Sequence, residues 1–565
     1  MMNDWENTLL KMQKPGKYLG TEFNRYEKKD NGFRFLLAFP DDYVIGMSSL
    51  GYHTVGNIIN RHTEFSCERC FAPAVDMESW MRKNNAGLFS LETKSPARDF
   101  DMIGFSFQCE LTYTNFINML DLAGIEPYRE RRIEKDPVIL GGGPSCMNPA
   151  LLSKFLDIIC VGDAEAMLPQ LLEKYTKCCN KSDFLDAASE IRGIYVPGRN
   201  KSVEPSVFAS LDNTYFPVDP PVSLIDIPHN RINIEINRGC RHRCRYCQAA
   251  VIYSPYREKT SRQIVEIARK AVASTGHQEI ALTSLSATDH SDLLNVMDDL
   301  HFAFRDLGVS VVMSSMRPET FTSGISDRLS RLKKGGLTFA PETASQRLKK
   351  VINKNVRNED ILAAARQASR YGWNKIKLYF MIGIPGETIE DINENAFFIK
   401  DVKKQSGLRV NVTVSPLVPQ PHTPFQWSRG VDPEEILGRF NLMRKKSPAY
   451  FKGFNLKQYI IESIMVRADE DLADVVYSAW KRGARFDQWK EHFSFEPWSE
   501  AFSENGSSWE SYYMRDFEKL ERLPWDMVHV APDQDSSRRS YENCMKVVEE
   551  ETVSSGARIC RRRND

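Results

Sequence analysis

The sequence predicts an α/β protein in three parts: a doubly wound, Rossmann-like domain, a partial (β/α)6 barrel of the TIM type, and a mostly helical C-terminal region. Three observations predict it. Short apolar strands alternate with helical stretches through about residue 180, the pattern of a parallel sheet covered by helices. Six more strand–helix repeats run between residues 231 and 430, three quarters of a TIM barrel. Past residue 431 helical spacing dominates. At 565 residues the chain is too long for a single core. The boundaries read as 1–180, a linker over 181–230, then 231–430 and 431–565.

In the first part, strands are predicted at 33–39, 101–107, 138–140 and 158–161, with helices at 115–123 and 165–175. The last two strands run into Gly141-Gly-Gly-Pro144 and Gly162-Asp-Ala-Glu165. Ligands of such sheets sit beyond the carboxyl ends of the strands, and glycine there admits close approach to the backbone. Cys67 and Cys70 form a C-x2-C without a matching second pair, so they read as structural, and no role is assigned to Cys178-Cys179.

The barrel strands are predicted at 232–237, 279–283, 309–314, 337–340, 375–382 and 410–415. Helices fall between them at 264–274, 293–307, 360–371 and 392–403. Active groups of such barrels gather at the carboxyl ends of the strands. The first strand leads into Gly239-Cys240-Arg-His-Arg-Cys244-Arg-Tyr-Cys247, a C-x3-C-x2-C loop. Three thiolates on one short loop suit three irons of a 4Fe–4S cluster and leave the fourth iron open, whereas an electron-transfer cluster takes four cysteines. The rival is a zinc site short of its fourth ligand, with His242 on the same loop.

This cysteine pattern, with Tyr246 before the last cysteine, resembles the radical SAM superfamily. The resemblance implies a 4Fe–4S cluster on Cys240, Cys244 and Cys247 and S-adenosylmethionine (SAM) as the second cofactor. The other strand ends offer what SAM needs. Ser284 and Ser286 suit its amine, Ser315 a ribose hydroxyl, and Arg317 its carboxylate. Glu342 suits the ammonium, the turn at Gly383 suits adenine, and Tyr246 stands beside the cluster. Leu337-Thr-Phe-Ala-Pro-Glu342, Val351-Ile-Asn-Lys-Asn355 and Pro419-Gln-Pro-His-Thr-Pro-Phe-Gln-Trp427 resemble a subfamily of Fe–S oxidoreductases with a cobalamin-binding-like first domain. In that domain Gly46-Met-Ser-Ser-Leu-Gly51, Gly142-Gly-Pro144 and Gly162-Asp-Ala-Glu165 carry the likeness, so Ser48, Gly142, Gly143 and Gly162 are its cobalamin candidates. The Asp-x-His-x-x-Gly motif of cobalt-ligating domains is missing, and His53 reads as an ordinary helix residue. Two readings stay open: cobalamin without a histidine beneath it, or an empty relic.

The C-terminal part reads as helices at 433–446 and 461–480, then an aromatic stretch with Phe486, Trp489, Phe493, Trp498 and Phe502 that reads as core. Where the subfamily follows Pro-Trp-Asp with histidine, this chain has Met527, and only Cys544 and Cys560 remain in the tail. Charge balances at 75 basic and 75 acidic side chains, which excludes a global pull toward nucleic acid or membrane. No apolar run reaches the length of a membrane span. Twelve cysteines in a chain of this length do not suit a disulfide scaffold. A cytoplasmic protein is expected, with an electron donor such as a ferredoxin or flavodoxin and a substrate that the sequence does not name. Two alternatives remain, an RNA-modifying radical SAM enzyme and a non-catalytic cobalamin or Fe–S sensor. Glu110, Tyr113 and His422 are further pocket candidates.

Overall fold

A computed structural model describes residues 2–26, 32–213, 215–313, 316–321, 323–331 and 336–561. The first sheet is built from β1 (Arg34–Phe39), β2 (Ser66–Phe71), β3 (Met102–Ser106), β4 (Val138–Gly142), β5 (Ile158–Cys160) and β6 (Ile194–Tyr195). Its order is β2-β1-β3-β4-β5-β6, parallel except for β6. The order reverses between β1 and β3, which opens a crevice at their carboxyl ends.

The sequence reading lacks β2 and β6. In β2 the apolar signal is broken by Glu68 and Arg69, yet both are buried. Glu68 pairs with Arg34 at 2.9 Å. Arg69 pairs with Glu22 at 2.9 Å and Glu92 at 2.6 Å. Paired charges can occupy a buried strand where single ones cannot. Cys67 and Cys70 lie three residues apart on this strand, so they face opposite sides of the sheet. They cannot chelate together.

The barrel region contains β7 (Ile232–Glu235), β8 (Asn237–Arg238), β9 (Arg257–Glu258), β10 (Glu279–Thr283), β11 (Ser310–Met313), β12 (Leu337–Glu342), β13 (Lys375–Ile382), β14 (Arg409–Pro416) and β15 (Tyr450–Lys452). Six of these are the predicted barrel strands. They run parallel in two sheets, β11-β10-β7 and β12-β13-β14-β15, with no ladder between β11 and β12 among the described residues. Among the described residues the two sheets do not join into one, and β15 adds an edge strand that the sequence reading lacks. A short antiparallel ladder, β8 with β9, carries the root of the cysteine loop.

The helix predicted at 461–480 is two helices, Leu456–Val466 and Leu472–Lys481. The break falls at Arg467, which is buried and donates to the Ser428 carbonyl at 2.9 Å. These helices, with Phe486, Trp498 and Phe502, share one core with Ile103, Phe105 and Phe116 of the first sheet's layer. The other face of that sheet packs under the helices Leu50–His62 and Ala164–Lys177. The C-terminal region thus supplies part of the second layer of the first domain. Among the described residues no helix is long and apolar enough to cross a membrane.

Candidate active site

The cysteine loop leaves β8 at Gly239 and ends at the short helix Ala249–Ile252. Cys240, Cys244 and Cys247 are half-buried thiols without disulfide partners. Burial pushes the Cys244 thiol up to about 11, with the Lys354 ammonium pulling the other way. Burial also raises Cys247, while backbone N–H groups of Ala250 and Ala249 counter it. Such oriented donors favour a thiolate, the form that binds metal. Among the described residues no three His, Cys, Asp or Glu groups converge on a single ion. Thiols that each serve a different iron need no such convergence, and the donor set of three cysteines on one loop fits a 4Fe–4S cluster with an open iron. His242 is not a fourth ligand in this arrangement: its Nε2 lies 2.9 Å from Asp289 Oδ2. Arg245 pins the loop by donating to the carbonyls of Lys350 at 2.7 Å and Val351 at 2.8 Å and to Ser540 Oγ at 3.0 Å.

Beside the loop, four side chains come together. Tyr246 donates to Glu342 Oε1 at 3.0 Å, and Lys354 Nζ donates to the same oxygen at 2.8 Å and to the Tyr246 hydroxyl at 3.2 Å. Arg317 pairs with Glu319 and donates to the Asn355 carbonyl at 3.2 Å, next to Lys354. Glu342 holds φ 61 at the end of β12, where the register with β13 shifts. A left-handed glutamate is strained, and strain of this kind collects at functional sites. In the sequence Lys354 stands only within the subfamily stretch Val351-Ile-Asn-Lys-Asn355, without a role of its own, because it is the fold that brings it to Glu342.

A cavity of about 580 Å³ lies between the carboxyl ends of the first sheet and the root of the cysteine loop. Gly142, Gly143 and Gly162 line it from one side, Ser284, Arg238 and Tyr253 from the other. It continues as an apolar slot between Phe35, Leu37 and Leu140 of the sheet and Val55, Met167 and Leu168 of the helices. The three glycines differ. Gly143 has φ 113, and a Cβ there would lie 2.3 Å from the Phe107 carbonyl oxygen. Gly162 has φ 104, and its Cβ would lie 2.2 Å from the Ser206 carbonyl oxygen. Both are demanded by the backbone. At Gly142 a Cβ would make only ordinary contact, 3.4 Å from Cys160 Cβ. Gly51 would meet nothing within 4 Å, and it too lines the cavity. These two keep a cradle open that packing alone would let a side chain fill, so the cavity fits a flat cofactor.

The other candidates are dispersed. Ser48 does not line this cavity; its hydroxyl donates to the Val44 carbonyl at 2.7 Å and accepts from His229 N–H at 3.3 Å. Ser286 is buried, and its N–H donates to Ser284 Oγ at 2.9 Å. Ser315 lies outside the described residues. Gly383 has φ 80, and its N–H donates to Glu387 at 2.7 Å. A Cβ there would meet only the tip of Ile436, 2.9 Å away, so it is the left-handed backbone that calls for this glycine. His53 is buried, its Nε2 3.0 Å from the Met47 carbonyl, and burial lowers it to about 4. His422 is likewise buried against the Met147 carbonyl at 2.8 Å. Glu110 and Tyr113 sit at the start of the Tyr113–Leu122 helix and do not line the cavity. In the tail, Cys544 is buried and donates to the Tyr541 carbonyl at 3.0 Å.

Comparison with known proteins places this geometry. Residues 234–399 match the radical SAM superfamily, and residues 51–197 match the N-terminal region of radical SAM proteins. An uncharacterised protein of Methanocaldococcus jannaschii is 29% identical over 77% of this chain and 89% of its own length. The ribosomal protein uS12 methylthiotransferase RimO of Leptospira biflexa is 26% identical over 38% of this chain and 47% of its own. Two solved structures share the fold. One is the radical SAM methyltransferase TsrM from Kitasatospora setae with cobalamin and a 4Fe–4S cluster bound, 14% identical, TM-score 0.50, covering 70% of this chain and 77% of that one. The other is the cobalamin-dependent radical SAM enzyme OxsB with aqua-cobalamin and SAM bound, 11% identical, TM-score 0.51, covering 93% and 81%.

Proposed function

Since this chain belongs to the radical SAM superfamily and is a radical SAM enzyme, we propose that it transfers a methyl group to a substrate carbon, with cobalamin seated in the 580 Å³ cavity. The observation that carries this is the place of that cavity, between the cradle of the first sheet and the cysteine loop. When bound, the cluster and SAM supply a carbon-centred radical that abstracts hydrogen, and cobalamin supplies a methyl carrier. The side chains do the rest. Cys240, Cys244 and Cys247 hold the cluster. Glu342, kept in place by Tyr246, accepts from the SAM ammonium, and Arg317 pairs with its carboxylate. Ser284, Ser286 and Ser315 would hold the amine and ribose, and the Gly383 turn the adenine. The apolar slot and barrel walls exclude water from reactive carbon.

No histidine lines the cavity among the described residues, so the lining would offer cobalamin no histidine ligand. Both proteins of known structure that support the reading bind cobalamin in their solved forms. A reductant of ferredoxin or flavodoxin type and a cytoplasmic setting belong to the same proposal. The test is anaerobic. The reconstituted protein is incubated with hydroxocobalamin, freed of excess by gel filtration, and read by absorbance. Near one cobalamin per chain supports the reading, and a spectrum with no retained cobalamin overturns it.

A second reading has the RimO similarity in its favour: a macromolecular substrate, RNA or a ribosomal protein, modified by the same radical chemistry. RNA binding that weakens steeply with salt would support the RNA form.

A further inference from the structure

The arginine just before the cysteine loop lines the cavity, yet holding the cluster and SAM leaves it without a role. Arg238 stands on β8, two residues before Cys240, and it is held by three carboxylates. Its Nη1 donates to Asp163 Oδ1 at 2.8 Å, and its Nη2 to Glu165 Oε1 at 2.7 Å and Glu235 Oε2 at 2.8 Å. Its Nε donates to Glu235 Oε1 at 3.0 Å. Asp163 and Glu165 follow Gly162 on the cradle side of the cavity, and Arg257 on β9 also donates to Asp163, at 2.7 Å. The link from Arg238 to Cys240 has little slack. Gly239 holds φ 85, and a Cβ there would lie 2.7 Å from the Tyr253 carbonyl oxygen and 2.9 Å from that of Pro255.

A largely buried set of ion pairs is poor glue, because desolvation offsets most of the attraction. Its best use is to fix one geometry. This set joins the loop that walls the cavity to the root of the loop that carries the thiols, and Arg238 and its three carboxylate partners all line the cavity.

We propose that Arg238 is a positioning residue: through Asp163 and Glu165 the first domain sets the pose of the cysteine loop, and so how the cluster meets SAM. The inference rests on the cluster reading of Cys240, Cys244 and Cys247 but not on cobalamin. Coupling of this kind is reciprocal, so the cavity and the cluster site each report on the other.

The test uses full-length, reconstituted protein. Glu165→Gln, Arg238→Lys and the double variant are assayed for iron content, and the EPR signal of each dithionite-reduced cluster is titrated with SAM. Glu165→Gln keeps the shape of the side chain and lies in the first domain, away from the thiols. Lysine keeps the charge of Arg238 but not its fork. Both single variants should load iron as the wild type does. Each should need about tenfold more SAM to reach half-effect, the scale of losing an outer-shell partner. The double variant should be no weaker than Arg238→Lys alone, since both act along one path. A wild-type SAM titration in either iron-loaded variant, or strictly additive losses, would overturn the positioning role. A wild type whose cluster signal ignores SAM would instead overturn the reading beneath it.

Discussion

At the scale of single residues, the chemistry turns on groups held against their ordinary preference. Glu342 keeps a left-handed backbone beside the thiols, with Lys354 occupying its carboxylate. An incoming ammonium at Glu342 would have to displace Lys354, so Lys354→Met should alter SAM affinity while leaving iron content unchanged, as read by equilibrium dialysis. Glu462 is another such group. Burial, with Glu110 nearby, raises it from the usual 4.5 to about 7. A carboxyl raised in the folded state stabilises below its unfolded pKa and loses that contribution as pH climbs to about 7. Glu462→Gln removes the titration. Its Tm gain over the wild type should be larger at pH 8 than at pH 5, and equal gains at both would contradict the assignment. Residue legibility in the sequence was uneven for a physical reason. Three cysteines at fixed spacing announce chemistry by themselves. Lys354 and Arg238 acquire meaning only from distant partners, Tyr246 108 positions away for Lys354 and Asp163 75 positions away for Arg238.

At the scale of elements, strands with uninterrupted apolar cores were readable. Residues 279–283 and 375–382 were predicted with the bounds the structure has. β2 was not readable, because Glu68 and Arg69 hide a buried strand behind charges whose partners lie on other elements. The glycines after the strands were readable as turns but not by cause. The structure separates them by the space around an added methyl. Gly162→Ala forces a left-handed residue against Ser206 and should cost about 2 kcal/mol or more, seen as a lower Tm. Gly142→Ala makes only an ordinary contact. It should leave Tm within a degree or two and weaken retention of cobalamin instead. If the two variants lose stability equally, the cradle argument fails.

At the scale of the whole molecule, the parts are not beads on a string. The C-terminal helices complete the core of the first domain, and Asp487 accepts from Thr114 at 2.6 Å across that boundary and from Trp498 of its own region at 3.2 Å. Trp498 is fully buried there. Trp498→Ala should cost about 3–5 kcal/mol and lower the melting of the first domain along with the rest. An unchanged melt would contradict the shared core. No local pattern could have shown this, since helical periodicity fixes which face is apolar but not which distant sheet it covers. The same long-range packing creates the cavity between sheet and cysteine loop. The account as a whole stands on what that loop does. The decisive measurement is anaerobic incubation of the reconstituted protein with SAM and a strong reductant, with nucleosides quantified beside Cys240→Ala. The account predicts 5′-deoxyadenosine from the wild type and none from the variant. Equal yields from both, or none from a wild type with a full iron complement, would contradict it.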